Sequence, residues 1–283
     1  MGRRTMNIRM DHEATPDADY LQQWHDRHAG ATATVLVSLT DNLGRNSYEV
    51  LTQVVQGQHE PVLDLACGDG YLLELLRPKH ACLGVDRNVA ELNAAVGRLG
   101  TAVPLVRADA VELPVASSAL GAVLCHFALM LLQPLEDVLD EIARVLHPGG
   151  LLAAVLPAEP LVEAANPITA FRAAWSEASN MYPVKIPPIQ DDRALQVEDL
   201  VGLLVDAGFV STEVQSLSVS RTMTVDEITE LLLLTYLPDL LPPSGLAELI
   251  RQLKGELDKL NDGTGTITYV EQSNLLTARC VSG

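Results

Sequence analysis

Residues 61–72, PVLDLACGDGYL, decide the fold of this chain. The apolar run around Asp64 favours a short buried strand, and the strand stops at a turn of small residues. Residues 71–76, YLLELL, then have the composition of a helix. A strand, a small-residue turn and a helix in this order let a ligand approach bare backbone at a helix N-terminus. The segment therefore predicts the first strand–helix unit of a ligand-binding α/β domain. The small residues of its turn are Ala66, Gly68 and Gly70.

Two further acids follow predicted strands. Residues 80–85, HACLGV, favour a second buried strand that ends at Asp86. The separation of Asp64 and Asp86 is 86 − 64 = 22 residues, near the spacing of about 20 at which dinucleotide-binding folds place the acid that binds a ribose diol. Residues 102–106, AVPLV, favour a third strand, and Asp109 lies just beyond it, where a carboxylate can accept from an adenine amino group. Both acids favour an adenosine-containing ligand.

These motifs together resemble those of the class I S-adenosylmethionine-dependent methyltransferases. The family's glycine motif corresponds to residues 64–70, its ribose acid to Asp86 and its adenine-side acid to Asp109. Its helix-to-strand turn is matched by residues 141–150, EIARVLHPGG. The resemblance is specific over residues 62–156 and concerns only the architecture elsewhere. It implies S-adenosyl-L-methionine as the cofactor, and a last strand that runs antiparallel between the fifth and the sixth.

The resemblance also implies which residues bind the cofactor. Asp64 would supply an anion for the ammonium group of the cofactor. Two positions depart from the family pattern: Ala66 stands where a first glycine is common, which we expect to be sterically mild, and Cys125-His126 replaces a small polar or acidic residue after the fourth strand. The full predicted set is Asp64, Ala66, Cys67, Gly68, Gly70, Asp86, Arg87, Asp109, Ala110 and Cys125.

NAD is the alternative cofactor for such a strand–turn–helix unit. The dinucleotide motif G-x-G-x-x-G requires a third glycine where the helix contacts the strand. Counted from Gly68, that position is Leu73. An acid inside the first strand, Asp64, also favours a sulfonium cofactor. The sequence therefore favours S-adenosylmethionine over NAD.

Alternating apolar runs and amphipathic stretches predict the fold class. We expect an α/β, Rossmann-like, doubly wound and mostly parallel sheet of seven strands, with helical inserts that form a lid. The predicted divisions are an N-terminal helical cap over 1–57, a cofactor-binding core over 58–157, and the rest of the sheet over 158–283. The lid inserts are predicted at about 158–192 and 225–260.

The composition of the chain limits the kinds of partner that it is expected to bind. The chain has 283 residues, 48% of them hydrophobic, and a formal net charge of −18. That charge opposes nucleic acid, since affinity for it rests on neutralising phosphates. The longest apolar runs are too short to span a bilayer, and no signal peptide is expected. The four cysteines form no C-x-x-C motif, which favours reduced thiols and no metal site. We therefore expect a cytoplasmic monomer or homodimer.

Candidate catalytic and substrate-binding residues lie at the predicted carboxyl ends of the strands or on the covers above them. His126 follows the fourth strand and is the first candidate for a base or a substrate contact. Tyr20, Trp24, His25 and His28 lie on one predicted N-terminal helix, and the i,i+4 pairs Tyr20/Trp24 and Trp24/His28 share a face. We predict His25 and His28 as catalytic and Tyr20 and Trp24 as substrate contacts. Trp175 and Tyr182 of the first insert are the further predicted substrate contacts.

The acceptor class follows from what the chain lacks. Methylation of exocyclic base amines usually shows [DNS]-P-P-[YFW] after the fourth strand, and residues 125–128 here are CHFA. We therefore expect methyl transfer to an oxygen or nitrogen, less favourably a carbon, of a small molecule such as a secondary metabolite. Two alternatives stay open: a protein that keeps the cofactor but performs another reaction such as cyclisation, and an RNA or protein methyltransferase.

Overall fold

The computed structural model describes residues 16–57, 59–158, 166–261 and 263–281. Three helices precede the sheet: α1 (Pro16–Arg27), α2 (Ala31–Leu36) and α3 (Ser47–Gln53). Residues 1–15 of the predicted cap and 159–165 of the predicted first insert lie outside the described residues. The core then alternates strands and helices, as the sequence predicts. Its elements are β1 (Val62–Leu65), α4 (Tyr71–Leu76), β2 (Cys82–Asp86), α5 (Val89–Leu99), β3 (Leu105–Arg107), β4 (Leu120–His126), α6 (Leu135–Val145) and β5 (Leu146–Pro157).

The second half of the chain completes the sheet and adds helices. Its elements are α7 (Pro167–Met181), α8 (Val197–Asp206), β6 (Phe209–Thr224), α9 (Val225–Leu233), α10 (Pro243–Asp258) and β7 (Thr266–Cys280). Helix α10 starts with Pro243 in its first turn, a position that proline tolerates because the N–H it lacks has no partner there. Pro242 and Pro243 therefore mark the start of α10.

The sheet has seven strands in the order β3-β2-β1-β4-β5-β7-β6. Strands β1 to β5 pair in parallel, and β7 is antiparallel to both β5 and β6. This confirms the predicted fold class and the predicted place of the last strand. The strand order reverses between β1 and β4, so a crevice opens at their carboxyl ends, where doubly wound sheets bind ligands.

Both faces of the sheet are covered. All seven residues of β4 are buried, and its side chains alternate between two apolar clusters. Ala122 and Leu124 pack on one side with residues of α3, α7 and α10. Val123 and Cys125 pack on the other side with residues of α6 and α8. His126 continues the first of these two faces, which places it toward α3.

Two elements lack a clear pattern in the sequence. The last two strands are long, and residues 209–224 and 266–280 pair along most of their length. Buried residues recur at every second position from Ile267 to Ser273, but polar residues among them hide the apolar pattern. Helix α2, ATATVL, is rich in residues that favour strands, and it forms because Ala31, Ala33 and Leu36 are buried against neighbours.

A glycine inside β2 is required by packing. A Cβ on Gly84 would lie 2.6 Å from Leu73 Cδ1 and 2.9 Å from Cys67 Sγ. We expect Gly84→Ala to lower the free energy of unfolding by about 1–3 kcal/mol, as overpacking does. The control is Gly97→Ala in α5, whose added Cβ meets nothing within 4 Å and should stabilise the helix by about 0.5–1 kcal/mol. Urea unfolding of both variants measures this, and equal effects would contradict the packing argument.

Candidate active site

A cavity opens at the carboxyl ends of β1, β2 and β4. Its floor is the turn after β1, and its sides come from the β2–α5 turn, the segment after β4, and α1 to α3. Eight of the predicted site residues line it, and His126 closes one end. The eight are His25, Asp64, Ala66, Cys67, Gly68, Asp86, Arg87 and His126.

The two glycines of the turn after β1 have different roles. Gly68 has φ +51°, and its N–H donates to Asp86 Oδ2 over 2.9 Å. Gly70 has φ +77°, but a Cβ on it would lie 2.8 Å from Leu99 Cδ1 and 3.1 Å from Ala95 Cβ. Gly70 therefore serves the close packing of α4 on α5 and is not among the residues that line the cavity. Its role as a cofactor contact stays a prediction.

Ala66 adopts a left-handed backbone with φ +56°. This conformation costs a residue with a Cβ about 1–2 kcal/mol of conformational free energy. The expectation that alanine is a sterically mild replacement here is therefore wrong for the backbone, although its small side chain still lines the cavity. The strain indicates that the turn is held in place by its surroundings.

Asp86 is fixed by two backbone donors at the end of β2. Its Oδ2 accepts from Gly68 N–H and its Oδ1 accepts from Asn88 N–H over 2.8 Å. Burial raises the pKa of this carboxyl, and the two backbone hydrogen bonds partly offset the shift. Each carboxylate oxygen keeps a further acceptor position. The side chain can therefore accept both hydroxyls of a ribose without losing its own anchors.

Asp64 is the most unusual acid of the cavity. It is 2% exposed, and among the described residues its Oδ2 has no hydrogen-bond partner. Burial raises the pKa of Asp64 well above its ordinary value, and the neighbouring Asp86 and Asp69 raise it further. A buried carboxylate oxygen without a partner is costly. An ammonium group in the cavity would relieve that cost, so the residues present fit the predicted sulfonium cofactor.

The electrostatics of the cavity separate the two candidate cofactors. Four carboxyl groups line it, and one of them, Asp69, forms an ion pair with Arg98. Such a site attracts a ligand with cationic groups and repels the diphosphate of a dinucleotide. This supports the preference for S-adenosylmethionine over NAD. The four acids are Asp64, Asp69, Asp86 and Glu91.

Helix α1 lies across the cavity and is attached to the start of α5. Glu91 is buried, and its Oε1 is 2.8 Å from His25 Nδ1 while its Oε2 accepts from Gly30 N–H over 2.9 Å. Asn88 Nδ2 donates to Asp26 Oδ1 over 2.9 Å. Asn88 also accepts from Glu91 N–H over 2.9 Å, so one side chain caps α5 and holds α1.

The predicted shared face of α1 contacts a second cover, the segment 234–240 after α9. The Trp24 ring lies 4.6 Å from the Tyr236 ring, and His28 Nε2 is 2.9 Å from Asp239 Oδ2. Tyr20 donates its hydroxyl to the backbone oxygen of Tyr236, and burial raises the pKa of Tyr20 to about 12. Tyr20, Trp24 and His28 therefore join two covers, and they do not line the cavity as the predicted substrate and catalytic roles require.

His126 closes the cavity at the end of β4. The ring is 6% exposed and stacks on Tyr48 at 3.5 Å between centroids. Its Nε2 lies 2.9 Å from Ser47 Oγ, and its Nδ1 meets no partner within residues 16–57, 59–158, 166–261 and 263–281. Burial lowers the pKa of His126 to about 3, so the imidazole is neutral at ordinary pH. Phe127 next to it has a left-handed backbone, φ +52°, and also lines the cavity.

Five other predicted residues lie away from the cavity. Asp109 is exposed, and its Oδ1 accepts from Val111 N–H over 3.2 Å. Ala110 and Cys125 are buried in the apolar cluster beneath the opposite face of the sheet. Trp175 and Tyr182 pack in the cluster formed with α10, which corrects their predicted place in the substrate wall: α7 turns its aromatic residues toward the core.

Sequence reasoning missed several lining residues. Asn88 and Glu91 follow Asp86 closely and could have been suspected, because they begin a helix at the carboxyl edge of the sheet. Tyr48 and Tyr236 come from distant parts of the chain, and no local pattern marks them. The other missed lining residues include Gly30, Thr32, Ala33, Asp69, Leu131 and Leu132.

Part of the chain is similar to known methyltransferases. Residues 63–154 match the model of a family described as a methyltransferase domain. A demethylmenaquinone methyltransferase of Corynebacterium urealyticum is 34% identical over 132 residues, which are 46% of this chain and 55% of the relative. The chain therefore spans about half the length of the curated relatives it matches.

Two solved structures share the fold. Phosphoethanolamine N-methyltransferase 2 of Haemonchus contortus, in complex with S-adenosyl-L-methionine, has a TM-score of 0.57 at 16% identity, over 96% of this chain and 61% of that one. The [4+2]-cyclase SpnF has a TM-score of 0.56 at 18% identity, over 93% and 96%. The match of residues 63–154 to a methyltransferase domain, with the shared fold, confirms the predicted resemblance and its cofactor, S-adenosylmethionine.

Removing the ribose acid should weaken cofactor binding. We expect Asp86→Ala to lower the affinity for S-adenosylmethionine about 10- to 100-fold, because hydrogen bonds to a charged group contribute about 1.5–3 kcal/mol. Isothermal titration measures the affinity, with circular dichroism to confirm folding. The control Asp140→Ala removes an exposed acid of α6 and should change nothing. An unchanged affinity in Asp86→Ala would show that the ribose assignment is wrong.

Asp64 should couple stability to pH in the opposite sense to an ordinary salt-bridged acid. Its folded pKa is raised above the unfolded value of about 3.9, so the folded state holds the proton longer. Stability therefore falls as the pH rises from about 3.9 through the folded pKa. We expect Asp64→Asn to be more stable than the wild type at pH 7, with a gain that shrinks on acidification, and to bind S-adenosylmethionine more weakly. Thermal unfolding of the free protein from pH 4 to 8 measures the first effect, and a gain independent of pH would refute it.

Proposed function

We propose that this protein transfers the methyl group of S-adenosylmethionine to a small molecule. The observation that carries the proposal is the cover of the cavity. Asp26 and Gly30 attach α1 and the turn after it to the start of α5, and His28 joins them to the segment 234–240. A cavity closed in this way suits an acceptor small enough to be enclosed. We also propose that the two predicted inserts, at about 158–192 and 225–260, act as a lid over the site.

The chain's own residues supply binding, orientation and exclusion of water. When bound, S-adenosylmethionine supplies an activated methyl group on a sulfonium centre. Asp86 would hold the ribose hydroxyls and Asp64 the ammonium group. Ala66 and Gly68 keep the turn free of bulk where the cofactor passes. Asp109 and Ala110 remain our proposed adenine-side residues, beyond the end of β3.

The acceptor would lie beside His126, where the cavity is bordered by apolar and aromatic groups. Tyr48 stacks on the imidazole, and Ala33, Phe127 and Ala128 line the same cavity. Enclosure between such groups excludes water from the reacting atoms and aligns them, which is the main contribution that a protein makes to methyl transfer. The proposed target atom is an oxygen, a nitrogen or a carbon of the acceptor.

The names of the relatives support a small molecule as the acceptor. The curated matches are named for demethylmenaquinone, a small molecule, and this is consistent with a cavity built for one. Because only about half of their length is matched, demethylmenaquinone itself is not proposed as the substrate. An RNA or a protein acceptor is disfavoured by the net charge of −18 and by the cover over the cavity.

Cyclisation without methyl transfer is the second candidate, because the fold is shared with a [4+2]-cyclase. Incubation with cofactor labelled in the methyl group distinguishes the two, using an extract of small metabolites as the source of acceptors. We expect label in a small organic-soluble product and release of S-adenosylhomocysteine. Label in RNA or protein would favour a macromolecular acceptor. Tight binding of S-adenosylmethionine with no transfer of label would favour the cyclase-like role.

A further inference from the structure

The hydrogen bonds around His126 restrict which ring nitrogen carries the proton. A neutral imidazole has one N–H donor and one bare nitrogen, and the structure gives a partner to one of them only. Nε2 is 2.9 Å from Ser47 Oγ, whereas Nδ1 is buried and has no partner in the part of the chain that the structure describes. Nδ1 is therefore the polar atom that His126 can offer to a ligand in the cavity that it lines.

Ser47 decides between the two tautomers. Its side chain is wholly buried, and among the described residues His126 Nε2 is the partner of its hydroxyl. If Nε2 carried the proton, it would donate to Oγ, and the hydroxyl hydrogen of Ser47 would have no acceptor. If Ser47 donates to a bare Nε2, only the Nδ1–H group lacks a partner. Each arrangement leaves one hydrogen without an acceptor, but in the first it lies on Ser47, which is buried and does not line the cavity, whereas in the second it lies on the ring of His126, which does line the cavity. Only the second arrangement lets a ligand oxygen satisfy that hydrogen, as buried polar groups require.

The surroundings keep the ring neutral and in place. The Tyr48 ring covers one face with an angle of 21° between the two planes, and Phe127 lies 5.1 Å from the imidazole centroid. Burial lowers the pKa of His126 to about 3, so a doubly protonated ring is not available at ordinary pH. The tautomer is therefore fixed by the hydrogen bond with Ser47.

We propose that His126 is a neutral hydrogen-bond donor, through Nδ1–H, to an oxygen of the methyl acceptor, and that Ser47 is the positioning residue that fixes this tautomer. The inference rests on the proposed function and replaces the predicted role of His126 as a base. A donor at this point selects an acceptor with a carbonyl, phenolate or enolate oxygen. It gives nothing to an acceptor whose only polar group is an ammonium.

The first experiment observes the tautomer without any acceptor. The nitrogen NMR spectrum of protein labelled at histidine, with His126→Asn to assign the signal, should show the proton on Nδ1. In Ser47→Ala the donor to Nε2 is gone, and the signal should change toward the other tautomer or a mixture. A bare Nδ1 in the wild type would overturn the proposal. This readout stands whether or not methyl transfer is ever detected, so it fails separately from the proposed function.

The second experiment tests whether an oxygen on the ligand strengthens its binding next to His126. The probes are α-tetralone, a bicyclic ketone that only accepts hydrogen bonds, and tetralin, the same rings without oxygen, each added to protein saturated with S-adenosylhomocysteine. We expect the ketone to bind about tenfold more tightly than tetralin, the effect of one hydrogen bond to a buried donor, and to shift the Nδ1 signal. His126→Asn keeps an amide N–H near that position and should retain part of the preference.

Ser47→Ala should reduce the preference for the ketone while binding of S-adenosylhomocysteine stays unchanged. That contrast separates a positioning role from general damage to the fold. An Nδ1 signal that α-tetralone does not move, or a preference for the ketone that survives in His126→Phe, would overturn the proposal.

Discussion

The carboxyl group of Asp86 is the constraint on which the site depends. It binds the backbone N–H of Gly68 on one oxygen and that of Asn88 on the other. These two bonds tie the turn after β1 to the turn after β2, although the two turns are far apart along the chain. A single buried side chain therefore sets the shape of the crevice between adjacent parallel strands.

The same crevice concentrates negative charge at a cost to stability. Asp64 is buried with an unpaired oxygen, and its acidic neighbours raise its pKa further. A site of this kind is costly when it is empty of cations and favourable when a cationic ligand enters. Preorganised charge of this sort gives specificity for a cofactor that carries positive groups. The strained backbone of Ala66 adds to the energy that the surrounding fold must supply.

Helix α1 and the segment 234–240, which cover the site, are held there by contacts between distant segments of the chain. Glu91 binds both His25 and the backbone of Gly30, and the Trp24 ring contacts that of Tyr236. Tyr20, Trp24 and His28, which the i,i+4 spacing predicts to share a face, lie together, yet they contact the segment 234–240 and do not line the cavity. A periodic pattern shows that side chains lie together, but it does not show which partner they meet.

The sequence by itself determined the sheet, its topology and the cofactor. Asp64, the glycine turn and Asp86 follow one another at fixed distances, and each is set by local geometry at the end of a parallel strand. The tertiary structure alone decided the roles of Gly70, which packs helices together, and of Trp175 and Tyr182, which belong to the core. It also brought Ser47 and Tyr48 to His126. These contacts join segments about 80 residues apart (126 − 47 = 79), and local patterns carry no information about pairs that only folding brings together.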